Sequence, residues 1–409
     1  MGKLKVAVVG AGLGGLCLAQ GLHRAGIEVT VYERDAALHT RPQGYRLHVD
    51  ARAGVALRDC LPPELFELFL ATCGQPGRGF TVVSERLRLL HEVRTDPATD
   101  PYAPQTLSTS VNRQTLREVL AGRIEHRISY RSELTRYQVR EAGVRLHFAD
   151  GRQADADLLV GADGVNSAVR RQYLPHARVL DTGGRCIYGR TPLTPAADRL
   201  LPAPLRDGFM AVVGGRIGMA TGLVRFRQPP EQLAPALSPT ADYLMWAVTG
   251  DGELFGLPDD RLSALPPAEL HALAQRLTSS FHPDLRQLVA LAAVPETFLA
   301  RIRTSEPVPA WQPSRVTLLG DAIHAMSPAR GSGANTALRD AALLCRTLVA
   351  ALAEDRDLVT AVGGYEAEMR EYGFAAVAAS REAEAAMGAR RGGPASWLFR
   401  RLGGRALER

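Results

Sequence analysis

The 409-residue chain is poor in cysteine, lysine and tryptophan, and each shortage excludes something. Cysteine occurs five times, as Cys17, Cys60, Cys73, Cys186 and Cys345, and no two are spaced Cys-x-x-Cys. That odd, scattered set argues against a disulfide framework and a thiolate zinc site, and fits a reducing cytoplasm. Lysine occurs only as Lys3 and Lys5, so the net charge of +6 rests on arginine. With alanine, leucine and glycine abundant throughout, this reads as a GC-rich coding bias rather than a basic surface. No nucleic-acid partner is expected. The most apolar early stretch, 6–22, is broken by five glycines and Gln20, so neither a targeting segment nor an integral membrane segment is expected. A nucleophile–base–acid set, a metal-ligand cluster and an internal repeat are also missing.

What is present begins with a βαβ unit. Residues 3–9 form a short β-branched run with the length of a buried parallel strand. A glycine cluster follows, then helical spacing over 16–25, then a second strand at 27–32 closed by Glu33. The cluster, Gly10-Ala11-Gly12-Leu13-Gly14-Gly15, satisfies G-x-G-x-x-G. Gly10 permits the tight turn. Gly12, without a Cβ, lets the backbone approach a pyrophosphate, and Gly15 lets helix and strand pack closely. The helix N-terminus offers free N–H groups to the phosphates. Glu33 has the position of an acceptor for an adenosine ribose, and its charge disfavours a ribose 2′-phosphate here. The motif specifies a dinucleotide and leaves FAD and NAD open.

Two later segments share this strand-to-turn-to-helix pattern. Gly161-Ala162-Asp163-Gly164 follows an apolar strand and precedes a helix start at Asn166-Ser167. Gly320-Asp321-Ala322-Ile323-His324 follows another, and leads through Pro328 and Gly331-Ser332-Gly333-Ala334-Asn335 into a helix bearing Asp340. With the Arg-x-x-Leu helix at Arg113 and Leu116, four motifs stand in order. At these residues the chain resembles the class A flavoprotein monooxygenases, built on the para-hydroxybenzoate hydroxylase fold. The resemblance runs from Lys3 to about Leu352.

It implies FAD as the bound cofactor and NADPH or NADH as a transient co-substrate, in keeping with the single glycine turn. Asp321, beside Gly320, would bond a ribityl hydroxyl, and Arg113 would sit near the FAD phosphate and ribose. Asp163 and Gly164 would serve FAD and the nicotinamide donor. Pro328, Gly331, Gly333, Ala334 and Asn335 would run along the isoalloxazine, offering backbone N–H groups to the reduced flavin. Arg34 and Arg41 are weaker candidates for the FAD. His324 reads as a structural partner near the flavin rather than a base. No catalytic residue is assigned, because the flavin carries the oxygen as a C4a-hydroperoxide.

The fold class is α/β: a Rossmann-type FAD-binding domain with an inserted, mostly antiparallel β-sheet substrate domain and C-terminal helices. The boundaries expected are 1–180 and 300–352 for the FAD-binding domain, 181–299 for the inserted sheet and 353–409 for the helices. The tail 390–409, with six arginines around Trp397, Leu398 and Phe399, reads as a terminal helix docking on its own protein. Arg46, Tyr188, Met210 and Trp246 are the substrate candidates, Arg46 for an acidic or phenolate group. The reaction expected is insertion of one O₂-derived oxygen into a small aromatic or phenolic molecule, of the sort made in bacterial secondary metabolism. Epoxidation, Baeyer–Villiger insertion and O₂-independent reduction are the alternatives. The related halogenases carry Trp-x-Trp-x-Ile-Pro, whereas Trp246, Trp311 and Trp397 are isolated here.

Overall fold

A computed structural model describes residues 4–40, 44–206 and 208–389. Arg41 and the tail 390–409 lie outside the described residues. The core is a parallel sheet. In spatial order its strands are Val316–Leu318, Leu158–Gly161, Lys5–Val9, Glu28–Tyr32 and Ile128–Ser129. Val6, Val8, Leu158, Leu159 and Val160 are fully enclosed, as expected where helices or a second layer cover both faces of a sheet. Helix Leu13–Arg24 packs against the long helix Gly333–Ala353, and Leu358–Ala389 packs on the latter. A three-stranded antiparallel sheet at 134–156 lies beside this unit.

The second large sheet has seven strands. Their order is Phe298–Ser305, Val179–Pro192, Tyr243–Asp251, Ile217–Val224, Gly208–Gly214, Gly79–Ser84 and Leu89–Arg94. All pairings are antiparallel except that between Gly208–Gly214 and Gly79–Ser84. The mostly antiparallel sheet expected from 181–299 is therefore present but larger. It takes two strands from 79–94, and its strand Phe298–Ser305 runs on to the motif after residue 320.

Successive side chains on a strand point to opposite faces. On the rear face Met210, Ile187, Met219, Trp246 and Val248 pack with Phe281, Leu285 and Leu288 from the helical segment behind. On the front face Tyr45, Met245, Ala247 and Ile302 form a separate cluster with Tyr188, Phe209 and Phe298 beside it. That front face looks toward the parallel-sheet domain. The short pair Arg46–Asp50 and Ser108–Asn112 bridges the two domains.

Candidate active site

The glycine turn carries the geometry its sequence requires. Gly10 has φ +108°, and a Cβ there would lie 2.4 Å from the Ala162 carbonyl oxygen. A Cβ on Gly15 would lie 2.1 Å from the carbonyl oxygen of Gly10. Gly12 is different. A Cβ there would meet nothing within 4 Å, so the space beside it is open. Glu33 is buried against this turn. Its carboxylate accepts from the backbone N–H of Ala11 at 2.8 Å and of Asp35 at 3.0 Å. Arg34, next in sequence, is exposed.

Helix Arg113–Ala121 starts behind an Asn112 side chain that accepts from the Thr115 N–H at 3.0 Å. It aims two arginines at the site. Arg113 is enclosed, and its Nε has no hydrogen-bond partner. Burial pulls its guanidinium pKa down, while Asp321 and Tyr188 favour the charge and Arg117 opposes it. Arg117, one turn on, was not singled out from sequence. Its Nε donates to the Ala11 carbonyl at 2.8 Å, its other amino groups reach the Leu38 carbonyl at 2.6 Å and come within 3.6 Å of Glu33. The four-residue spacing from Arg113 was the available signal.

Asp163 spends one carboxylate oxygen capping the helix Ala168–Tyr173, accepting from the Ala168 N–H at 2.6 Å. Its other oxygen is buried without a partner. Burial raises its pKa, and the hydrogen bonds from Ser167 and the helix N–H groups oppose that rise. Arg170 joins this segment to the next, donating to the Val165 and Ala322 carbonyls at 2.9 Å each.

At Gly320 the chain turns with φ +61° and presents Asp321. Asp321 is exposed to solvent in the cavity yet ringed by protein. Burial pushes its carboxyl pKa up, and His324 and Arg113 pull it back. Beneath it lies a closed network. Asp340 is fully buried and accepts from the Gly320 N–H at 2.7 Å, His324 Nε2 at 2.6 Å and the Tyr372 hydroxyl at 2.6 Å. Burial favours a neutral His324 ring, but the charge and hydrogen bond of Asp340, with Asp321, outweigh it and raise the pKa. His324 therefore fixes the turn rather than facing a ligand. Asn335 is likewise committed to structure, accepting from the Asp50 N–H and donating to the His48 and Gly331 carbonyls.

These pieces meet around one cavity of about 1000 Å³. Gly12, Leu13, Gly14 and Gly15 line it, as do Arg113, Gly164, Gly320, Asp321, Pro328, Gly331, Gly333 and Ala334. The front face of the large sheet closes it with Tyr188, Phe209, Met245, Ala247 and Phe298, and Arg46 reaches in from the bridging strand. Gly10, Glu33, Asp163 and Asn335 stand behind this lining rather than in it. A groove of about 770 Å³, containing Arg301 and Arg303, adjoins the cavity at Asp321, Phe298 and Met326.

Two expectations need correction. Met210 and Trp246 do not wall the cavity: both are buried on the rear face, where the Trp246 indole N–H donates to the Thr191 hydroxyl at 3.2 Å. Their neighbours Phe209, Met245 and Ala247 hold the front. Replacing Trp246 with alanine should therefore cost about 3–5 kcal/mol of stability through a core cavity. A denaturation series would measure that loss, and an altered ligand preference at unchanged stability would contradict it.

The open space beside Gly12, the unpartnered Arg113 Nε and the accessible Asp321 suit an extended dinucleotide cofactor. Comparison with known proteins agrees. The family model described as FAD binding domain matches residues 3–178 and 272–380, leaving out most of the large sheet. The chain belongs to that family and, within it, to the class A FAD-dependent monooxygenases. It is 30% identical to the FAD-dependent monooxygenase thnD of Trichoderma harzianum, over 93% of this chain and 92% of that one. It is 36% identical to the dual O-methyltransferase/FAD-dependent monooxygenase elcB of Phaeosphaeria nodorum over 90% of this chain. It spans only 43% of elcB, under half of that relative's length. A crystal structure of a putative FAD-containing monooxygenase from Photorhabdus luminescens superposes with a TM-score of 0.80 at 35% identity, covering 93% and 98% of the two chains. Among the described residues no helix is long and apolar enough to cross a membrane.

Proposed function

We propose that the protein is an NAD(P)H-consuming monooxygenase that inserts one oxygen atom from O₂ into a small aromatic or phenolic substrate. The observation that carries this reading is the single cavity in which the glycine turn and Asp321 face an aromatic-lined sheet. When bound, FAD supplies the electron transfer and oxygen activation. The chain's own residues then bind, orient and exclude water. Gly12 leaves room for the pyrophosphate, and the N-terminus of helix Leu13–Arg24 offers it N–H groups. Arg113 neutralises phosphate charge. Asp321 and the segment from Pro328 to Ala334, which line the same cavity, would hold the ribityl chain and the ring system. Phe209, Met245 and Phe298 would exclude water from the cavity beside the cofactor. Arg301 and Arg303, in the adjoining groove, suit the phosphates of the nicotinamide donor.

Replacing Asp321 with alanine is expected to weaken FAD retention by roughly one to two orders of magnitude, the worth of one charge-assisted hydrogen bond. Flavin-to-protein ratios after dilution measure it, and full occupancy in the variant would refute the role. The reaction itself is tested by NADPH oxidation in the presence of phenols, quinolones and polyketide aromatics. A substrate-stimulated rate that collapses under nitrogen supports monooxygenation. An equal rate without O₂ defeats it.

A further inference from the structure

The geometry points to Arg46 as the specificity-determining residue, taking the anionic oxygen of an aromatic carboxylate or ionised phenol. This rests on the reading that the cavity receives an aromatic substrate.

Arg46 opens the strand Arg46–Asp50 and pairs across to Asn112, the residue that caps the Arg113 helix. The backbone N–H of Arg113 donates to the carbonyl of Tyr45 at 2.6 Å. The guanidinium is thus held in register with the proposed cofactor helix while its side chain crosses to the large sheet. There the sheet makes room for it. Gly222 lies beneath the side chain, and a Cβ at that position would stand 2.8 Å from both Cδ and Nε of Arg46. The guanidinium lies over the Phe209 ring at 5.3 Å, and Phe209 in turn stacks on Phe80.

Its polar needs are poorly met. A guanidinium carries five N–H donors. Among the described residues its one hydrogen bond is from Nε to the Leu223 carbonyl, at a long 3.3 Å. No carboxylate pairs with it among the described residues. Burial pulls its pKa down to about 10, with only Tyr243 opposing. Compare Arg190, equally near this face, which is paired with Glu296. A half-buried cation facing a cavity with most donors free is suited to take a counter-charge, since a partly desolvated charge left unpaired is costly. The planar fork matches a carboxylate at two points and a phenolate oxygen at one. The flanking Phe209, Tyr188 and Phe298 rings supply the apolar surface for the rest of the substrate.

The test uses the FAD-loaded protein and the visible flavin absorption as reporter. The probes are 2-naphthoate and its neutral counterpart 2-naphthamide, with pentafluorophenol, which ionises well below neutral pH, titrated across its ionisation as the phenolate arm. Wild type should bind naphthoate roughly tenfold or more tighter than naphthamide, as for a desolvated charge-assisted pair. Arg46→Gln should bring the two probes level, and Arg46→Lys should keep part of the preference by charge alone. A pentafluorophenol response that strengthens on ionisation assigns the site to phenolates as well; one that does not restricts it to carboxylates. Equal affinity in wild type, no saturable response to either probe, or a preference that survives in Arg46→Gln overturns the assignment. Failure of the oxygenation reading would appear separately, as anion-selective binding without O₂-dependent NADPH oxidation.

Discussion

Gly12→Val is expected to yield a folded, colourless protein. The backbone of Gly12 sits at φ −77° and ψ 179°, open to any L-residue. The new Cβ meets no protein atom within 4 Å, so nothing in the fold resists it. The branched side chain projects instead into the cavity that Gly12 lines. If the pyrophosphate lies there, FAD affinity falls on the order of 100-fold, equivalent to about 3 kcal/mol of overpacking. Gly15→Val is the contrasting variant. Its Cβ would strike the Gly10 carbonyl oxygen at 2.1 Å, so the strand and helix must part and the fold itself weakens. Thermal melts and flavin content, read together, separate the two. A yellow Gly12→Val protein would show that the cofactor does not cross this turn.

The second large effect belongs to Asp340. Alanine there removes the acceptor for the Gly320 N–H, His324 and Tyr372 at once, at a fully buried position. The expected loss is roughly 3–5 kcal/mol, as for breaking a buried charged pair. The turn presenting Asp321 is lost with it, so flavin content should fall too. The pH dependence has a definite sign. The His324 pKa is raised on folding above its ordinary 6.5. Its contribution is therefore fully present below that value and is lost as pH rises through the higher folded one. The stability gap between wild type and Asp340→Asn should be wider at about pH 6 than at about pH 9. Urea titrations at both values measure it, and a gap that widened with pH would contradict the pairing.

The glycine turn, Glu33, Asp163 and Asp321 could be placed from sequence because each follows an apolar strand that fixes where it must emerge. The parallel sheet was readable for the same reason. Arg113 follows the polar strand Ser108–Asn112 and was singled out by the Arg-x-x-Leu pattern. The large sheet was readable as strands but not as faces. Strand Tyr243–Asp251 is buried on both sides over most of its length, so hydrophobicity carries no information about which set looks into the cavity. Met210 and Trp246 were assigned to the cavity for want of that information. The edge strand Leu89–Arg94, largely exposed, was missed because it lacks a buried face to pattern. Asp340 and Arg117 stand inside ordinary helices, and only the folded chain brings them beneath residues 320 and 11. Asn335, expected along the cofactor, has its amide consumed by the bridging strand.

The central claim is that this cavity joins FAD, a nicotinamide donor and an aromatic substrate for oxygen insertion. It is tested most directly by turnover of a phenolic or aromatic acid with NADPH under isotopically heavy dioxygen. The expected product carries one heavy oxygen atom from the gas and none from the water. NADPH oxidation that runs unchanged under nitrogen, with a product that has gained no oxygen, would contradict it.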